Sequence, residues 1–367
     1  MRNLILAAAA FGTMGLNPLP MRAQQAGTSY LLFVASRATG LISLVRFTPA
    51  AGRIEHRTMM RLNPDDPVDP IAIAAIPDGR SYFVLTTHAS GRGEVVKVSI
   101  ATDSARGAQI SDTLRGGERV GTNADAVALT TDSSYAWVMN GGATPNQSPA
   151  SSSVSVVDLT SMTEVSRIAT CAGGRGSKFS TDGSRHYSVC SQGDSLVEID
   201  RKSMKVTRKL GVGAAGATCD PSSLDLAAAG ARAVIACARS GEVLDVDIGS
   251  WTVARRIAVP SAGSAIAITP DGATAIVGSS DTVGTGSATI VDLHGGTIAG
   301  TIALPGTPNG MATSPDGRYL FVTMNGNNPS LPNVTMIDLE ARKVLASISV
   351  GNSADAITFW KVSLPAK

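Results

Sequence analysis

An all-β ring of seven four-stranded units is the fold class this sequence predicts, and three observations predict it. A six-residue strand pattern, most copies carrying Asp at the fifth place, recurs along the chain. A tight-turn signature of the Pro-Asp-Gly type recurs ahead of it. The C-terminus ends in one strand of a unit whose other strands lie at the N-terminus.

The repeat is clearest from Asn309 to Gly351. Met311–Ser314 leads into the turn Pro315-Asp316-Gly317-Arg318, where Pro presets φ and Gly accepts a positive φ. Tyr319–Met324 (YLFVTM) is a β-branched and aromatic run, hence a buried second strand. Val334–Leu339 (VTMIDL) is a third strand, and Lys343–Val350 (KVLASISV) a fourth. Such a meander cannot bury both faces or close its own edges, so it needs neighbours.

The third strand has six further copies: ISLVRF, VVKVSI, VSVVDL, LVEIDR, VLDVDI and ATIVDL. Their fifth residues are Arg46, Ser99, Asp158, Asp200, Asp247 and Asp292, with Asp338 closing the series. The steps between them are 53, 59, 42, 47, 45 and 46 residues. Four strands in such a period are those of a β-propeller blade. The first turn recurs at Asp78, Asp132, Asp182, Asp271 and Asp316, and the unit around Leu226–Ala233 keeps only Gly230. Tyr30–Ala35 (YLLFVA) already matches a second strand, and Ala356–Val362 (AITFWKV) is a first strand with nothing after it. The expectation is a seven-bladed propeller, its ring closed by the C-terminal strand joining the N-terminal blade.

SPDGRYLFVT, then VTMIDL and KVLASISVG, resembles the YVTN β-propeller repeat of surface-layer and lactonase-like seven-bladed propellers. The resemblance extends over Tyr30–Val362. It implies the fold and leaves the function open, because that family includes binding scaffolds, lactonases and dehydrogenase subunits. No unit carries the Gly-His and Trp-Asp pairs of WD40 blades.

The 367 residues carry a net charge of only +2, which makes no case for a nucleic-acid partner or an anionic surface. Aromatics at 4% are too few for base-stacking platforms. Residues 1–26 read as a signal peptide, with Arg2 ahead of an apolar stretch Leu4–Leu16 and small residues towards Ala23 and Ala26. Residues 27–367 then form a single periplasmic or secreted domain. No other apolar run approaches the length of a membrane span.

Four cysteines support export. Cys171 and Cys219 follow fourth strands, whereas Cys190 and Cys237 fall late in second strands. These places lie at the same end of neighbouring strands, so bridges Cys171–Cys190 and Cys219–Cys237 are expected, other pairings remaining open. No CxxC or CxxCH motif supports dithiol redox chemistry or haem attachment.

The 4→1 and 2→3 loops share one face of a propeller, and the insertions fall there: Leu62–Pro70, Gly141–Ser153 and Gly326–Asn333. Seven residues before the first-turn Asp stand Asp125, Arg175, Ser264 and Asn309, and local pattern adds Asp355 and Asp69. The unit after Gly213 offers Asp220, Ser222 or Ser223 for this ring. Converging carboxylates raise one another's pKa unless a cation compensates. Asp69, Asp125, Asn309 and Asp355 could hold a hard cation such as Ca²⁺. With Arg175 they could instead bind a polar ligand, and the bland reading is an acidic rim of turn caps.

Of the four His, only His88 is placed to join this ring; His56, His186 and His294 sit elsewhere in the repeat. A multi-His zinc or copper site is therefore not expected, and the sequence holds no GxSxG elbow. Trp137 reads as core, and the basic residues Arg201, Lys202, Lys205, Arg208 and Lys209 read as a solvated face. Three functions remain. The first is a non-enzymatic exported propeller binding a small polar ligand or another periplasmic or extracellular protein. The second is a lactonase-like hydrolase using His88, Asp125 or Arg175. The third is a scaffold subunit of a periplasmic oxidoreductase.

Overall fold

A computed structural model describes residues 28–62, 69–75, 81–87, 92–103, 107–142, 152–227, 230–261, 263–281, 284–325, 332–351 and 353–363. The N-terminal segment read as a signal peptide, His88, and most of the three inserted loops lie outside these residues.

The chain forms seven four-stranded antiparallel sheets. The first runs β28 (Ala354–Ser363), β1 (Ser29–Ser36), β2 (Leu41–Thr48), β3 (Arg53–Arg61), so the last strand lies innermost beside the first. The second holds β4 (Asp69–Ala75), β5 (Ser81–Thr87), β6 (Arg92–Asp103) and β7 (Gly107–Thr122). The third holds β8 (Ala124–Leu129), β9 (Tyr135–Asn140), β10 (Ser153–Asp158) and β11 (Thr163–Ala169). The fourth holds β12 (Gly174–Phe179), β13 (Arg185–Cys190), β14 (Ser195–Asp200) and β15 (Lys205–Gly211). The fifth holds β16 (Pro221–Ala227), β17 (Arg232–Cys237), β18 (Glu242–Asp247) and β19 (Thr252–Ala258). The sixth holds β20 (Gly263–Ile268), β21 (Thr274–Ser280), β22 (Gly286–Asp292) and β23 (Thr297–Leu304). The seventh holds β24 (Thr307–Thr313), β25 (Tyr319–Asn325), β26 (Val334–Asp338) and β27 (Lys343–Ile348).

The core is divided among the spaces between sheets. One apolar cluster joins Leu31, Phe33 and Trp360 of the first sheet to Ile73 and Val98 of the second. Another joins the seventh sheet to the first, where Tyr30 and Phe47 meet Tyr319 with ring centroids 5.7 and 5.3 Å away. The Tyr30 hydroxyl also donates to Asp316 Oδ2 at 2.6 Å. This junction is made by chain segments nearly 300 residues apart in sequence. Its concentration of large rings supplies apolar burial where the loop-closure cost is greatest.

The two Asp of the repeat are turn caps. Asp182 Oδ1 accepts from Ser180 Oγ at 2.6 Å and from the Ser184 N–H at 3.0 Å, around Gly183 at φ 69°. These bonds hold the Asp182 carboxyl down at about 2. Asp158 Oδ1 accepts the Thr160 and Ser161 N–H groups, both at 2.8 Å, and Asp338 Oδ1 accepts that of Ala341. A short carboxylate reaching two or three residues ahead is the Asx-turn mechanism, which is why Asp recurs at both hairpins.

In the second sheet β6 and β7 run past the usual turn, pairing out to Asp103↔Gly107, which accounts for the 59-residue step. Cys171 is bonded to Cys190 and Cys219 to Cys237, within adjacent sheets. The basic cluster around β15 is not wholly solvated. Arg208 pairs with the buried Glu198, stacks 4.2 Å over Trp251 and donates to Ile248 O at 3.0 Å in the next sheet. Burial pushes the Glu198 carboxyl up, but bonds from Arg208 and Thr207 outweigh it and leave it below its usual value. Arg232 and the buried Asp245 repeat this pairing in the fifth sheet.

Candidate functional site at the channel mouth

Each innermost strand breaks register near its start. The unpaired residue is Ile71 in β4, Asp125 in β8, Ser222 in β16, Ser264 in β20 and Asp355 in β28. In β24 it is Asn309 with Gly310, and in β12 the irregularity follows Arg175. A bulge residue leaves the ladder, so its side chain is re-aimed. Here Asp125, Ser222, Ser264 and Asn309 reach the next sheet, whereas Asp355 is met by Asn309 of the preceding one.

Arg175 Nη1 lies 2.6 Å from Asp125 Oδ1, and the Gly176 N–H reaches Asp125 Oδ2 at 3.3 Å. Ser222 Oγ donates to Gly263 O at 2.8 Å, and Ser264 Oγ to Pro308 O at 2.9 Å. Asn309 Nδ2 donates to Asp355 Oδ1 at 2.7 Å. Asp355 Oδ2 accepts the Arg37 N–H at 3.1 Å and the Ser353 hydroxyl at 3.3 Å, and Arg37 Nε stands 3.6 Å from Oδ1. Burial pushes the Asp355 carboxyl up, opposed by Arg37 and by its hydrogen bonds. The mouth is therefore a chain of sheet-to-sheet clasps.

The structure brings Asp125 to Arg175 and Asn309 to Asp355. It does not bring the two pairs together with Asp69. Asp69 is exposed at the start of β4, opposite Thr87, and Ile71 takes the bulge place in that sheet. Ile71 stands seven residues before Asp78, the same interval as in the other sheets, so Asp69 lies two residues ahead of the ring position. Among the described residues, no three His, Cys, Asp or Glu side chains group to hold a metal ion.

Sequence reasoning missed a second tier. Lys178 Nζ lies 3.0 Å from Asp225 Oδ1, joining β12 to β16, and Asp225 Oδ2 accepts the Ile268 N–H of β20 at 3.1 Å. The signal was available, because the matching places hold Ala74, Ala128, Ala267 and Ala312.

His186 was also undervalued. It is fully buried between the third and fourth sheets, with Ser177 Oγ 2.6 Å from Nε2 and the Trp137 and Phe179 rings packed around it. Nδ1 has no partner, and burial pulls the imidazole down to about 3. The Ser177–His186 pair is sealed from solvent, so it is core and not a nucleophile.

Solved structures share this architecture. A periplasmic gluconolactonase of Pseudomonas aeruginosa superposes with a TM-score of 0.69 at 18% identity, covering 91% of this chain and 100% of that one. Hydrazine synthase of Kuenenia stuttgartiensis gives 0.62 at 22% identity, covering 81% and 91%. A functionally unknown protein from Desulfotomaculum acetoxidans gives 0.65 at 13%, covering 90% and 98%. No protein-family model and no curated protein matches the chain. At these identities the likeness concerns the propeller fold. The two cystines agree with an oxidising, extracytoplasmic location. No helix among the described residues is long and apolar enough to cross a membrane.

Proposed function

We propose that the protein is an exported, non-enzymatic β-propeller that binds a small polar ligand or a partner protein through its channel mouth and loop-bearing face. The observation that carries this reading is the engagement of the mouth carboxylates. Asp125 is held by Arg175 and a backbone amide, and Asp355 by Asn309, Arg37 and Ser353. A general base needs a lone pair aimed at substrate, and a Ca²⁺ site needs several convergent oxygens. Carboxylates already engaged and not gathered in one place are poorly suited to either task, whereas the clasped ring makes a polar-rimmed opening suited to recognition.

The competing reading is a lactonase, since one structural neighbour is named a gluconolactonase. A scaffold role beside a redox partner is the further alternative. A panel of lactones and aryl esters, assayed with wild type and Asp125→Ala, tests the proposal. No turnover above buffer is expected. Turnover by wild type that disappears in Asp125→Ala would overturn the non-enzymatic reading and establish a hydrolase.

A further inference from the structure

We propose that the channel wall formed by β12 is a binding site for a small carboxylate- or phosphate-bearing anion, held by Arg175 and Lys178. This deepens the reading of the channel mouth as a ligand site and rests on it.

Both cations come from one innermost strand. β12 is covered outward by β13 and sideways by β8 and β16, so its solvent lies in the channel. The Arg175 and Lys178 side chains are nonetheless 52% and 45% exposed, which points them into that space. Across the bulge their ladder partners Val189 and Tyr187 are two residues apart, which spaces them by about 7 Å along the axis.

The ring makes this wall unlike the others. At the place of Lys178 the other described sheets carry Ala74, Ala128, Ala267, Ala312 and, in β28, Thr358, apart from Asp225 in the neighbouring sheet. At the place of Arg175 they carry Ser222, Ser264, Ile71 and residues already clasped to a neighbour. Neither cation is required by the repeat.

Hydrogen-bond accounting gives the ligand's chemistry. Asp125 already accepts from Arg175 and the Gly176 N–H. Asp225 accepts from Lys178 and from the Leu226 and Ile268 N–H groups. The cations are less occupied. Among the described residues Arg175 uses Nη1 alone of its five donors, and Lys178 directs its three-donor ammonium at one carboxylate. The spare capacity of these four side chains is therefore mostly donor, since Arg175 and Lys178 keep more free N–H groups than Asp125 and Asp225 keep lone pairs. It suits an acceptor-rich anion, with charge-assisted bonds at either end. A polyanionic macromolecule is not indicated, with a net charge of +2.

The test is calorimetric titration of the full-length chain with inorganic phosphate and, separately, citrate, at low ionic strength, with sodium chloride as the control. The repeat itself supplies conservative variants. Arg175→Ser installs the residue of two other sheets, and the double change Lys178→Ala/Asp225→Ala installs the commonest pair at those places without leaving a lone charge. Wild type is expected to show a saturable heat with at least one anion and a rise in Tm. Both variants should bind about tenfold more weakly or worse, while Lys178→Arg keeps the wild-type affinity; tenfold corresponds to about 1.4 kcal/mol. Binding of phosphate alone or citrate alone identifies the acid group and supports the site either way. Absence of saturable heat with both anions in wild type overturns the proposal, as does unchanged affinity in folded Arg175→Ser. The hydrolysis panel reads the other hypothesis independently, so either can fail alone.

Discussion

Replacing His186 with Phe should change how stability depends on pH more than it changes stability at neutrality. The imidazole is fully buried and its pKa is about 3 in the folded chain, against 6.5 as the ordinary value. Above about pH 6.5 both folded and unfolded states carry it neutral, and its contribution is fully present. As the pH falls, the unfolded chain takes up a proton that the folded chain refuses, so stability is lost through the window from about 6.5 down to about 3. Each full unit in that window is worth about 1.4 kcal/mol, so nearly 3 kcal/mol should be gone by about pH 4.5 and ~5 kcal/mol at the limit. Phe keeps a ring against Trp137 and Phe179 and removes the titration. The assay is guanidinium unfolding of oxidised wild type and His186→Phe at several pH values between about 7.5 and 4.5, read as the difference between the two. Carboxylates and the remaining His cancel in that difference. The reasoning is refuted if the two stability profiles run parallel.

Arg232→Ala strands the Asp245 carboxylate in the core and should cost about 3 kcal/mol or more in denaturant unfolding, whereas Arg232→Met/Asp245→Leu should recover most of it. Cys219→Ser/Cys237→Ser opens a loop of 18 residues and should lower stability by about 3 kcal/mol, read as a fall in the unfolding midpoint. Asp316→Asn weakens a turn cap and the bond from Tyr30 that links the last sheet to the first, with an expected loss of about 1 kcal/mol and a matching fall in Tm. A wild-type midpoint in any of these variants would contradict the role assigned to the residue.

Strand identity was legible because each unit repeats the same local chemistry. The YLFV-type second strands, the Asp-capped turns and the two cystine pairings are local or near-local features, each within one sheet. The mouth was legible in part. Counting back from the turn Asp located Asp125, Arg175, Ser264 and Asn309, because the inner strands have a constant length there. The same count from Asp78 gives Ile71, the bulge residue, whereas Asp69, assigned to the ring by local pattern, lies two residues ahead of it. Arg208 read as solvated because its partner Glu198 and the Ile248 carbonyl belong to other strands.

From Asn309 to Gly351, as in the other copies, sequence alone determined strands, turns and their order, since propensity, caps and positive-φ positions act over a few residues. Only the tertiary structure decided which charges meet. Asp125 could have joined the other carboxylates around a cation, but its place in the β8 bulge sets its side chain against the following sheet. That places Asp125 against Arg175, Asn309 against Asp355 and Lys178 against Asp225, residues 46 to 50 positions apart. Such separations carry no local signal. Their encounter depends on the stacking of one sheet beside the next, and with it the chemistry of the channel.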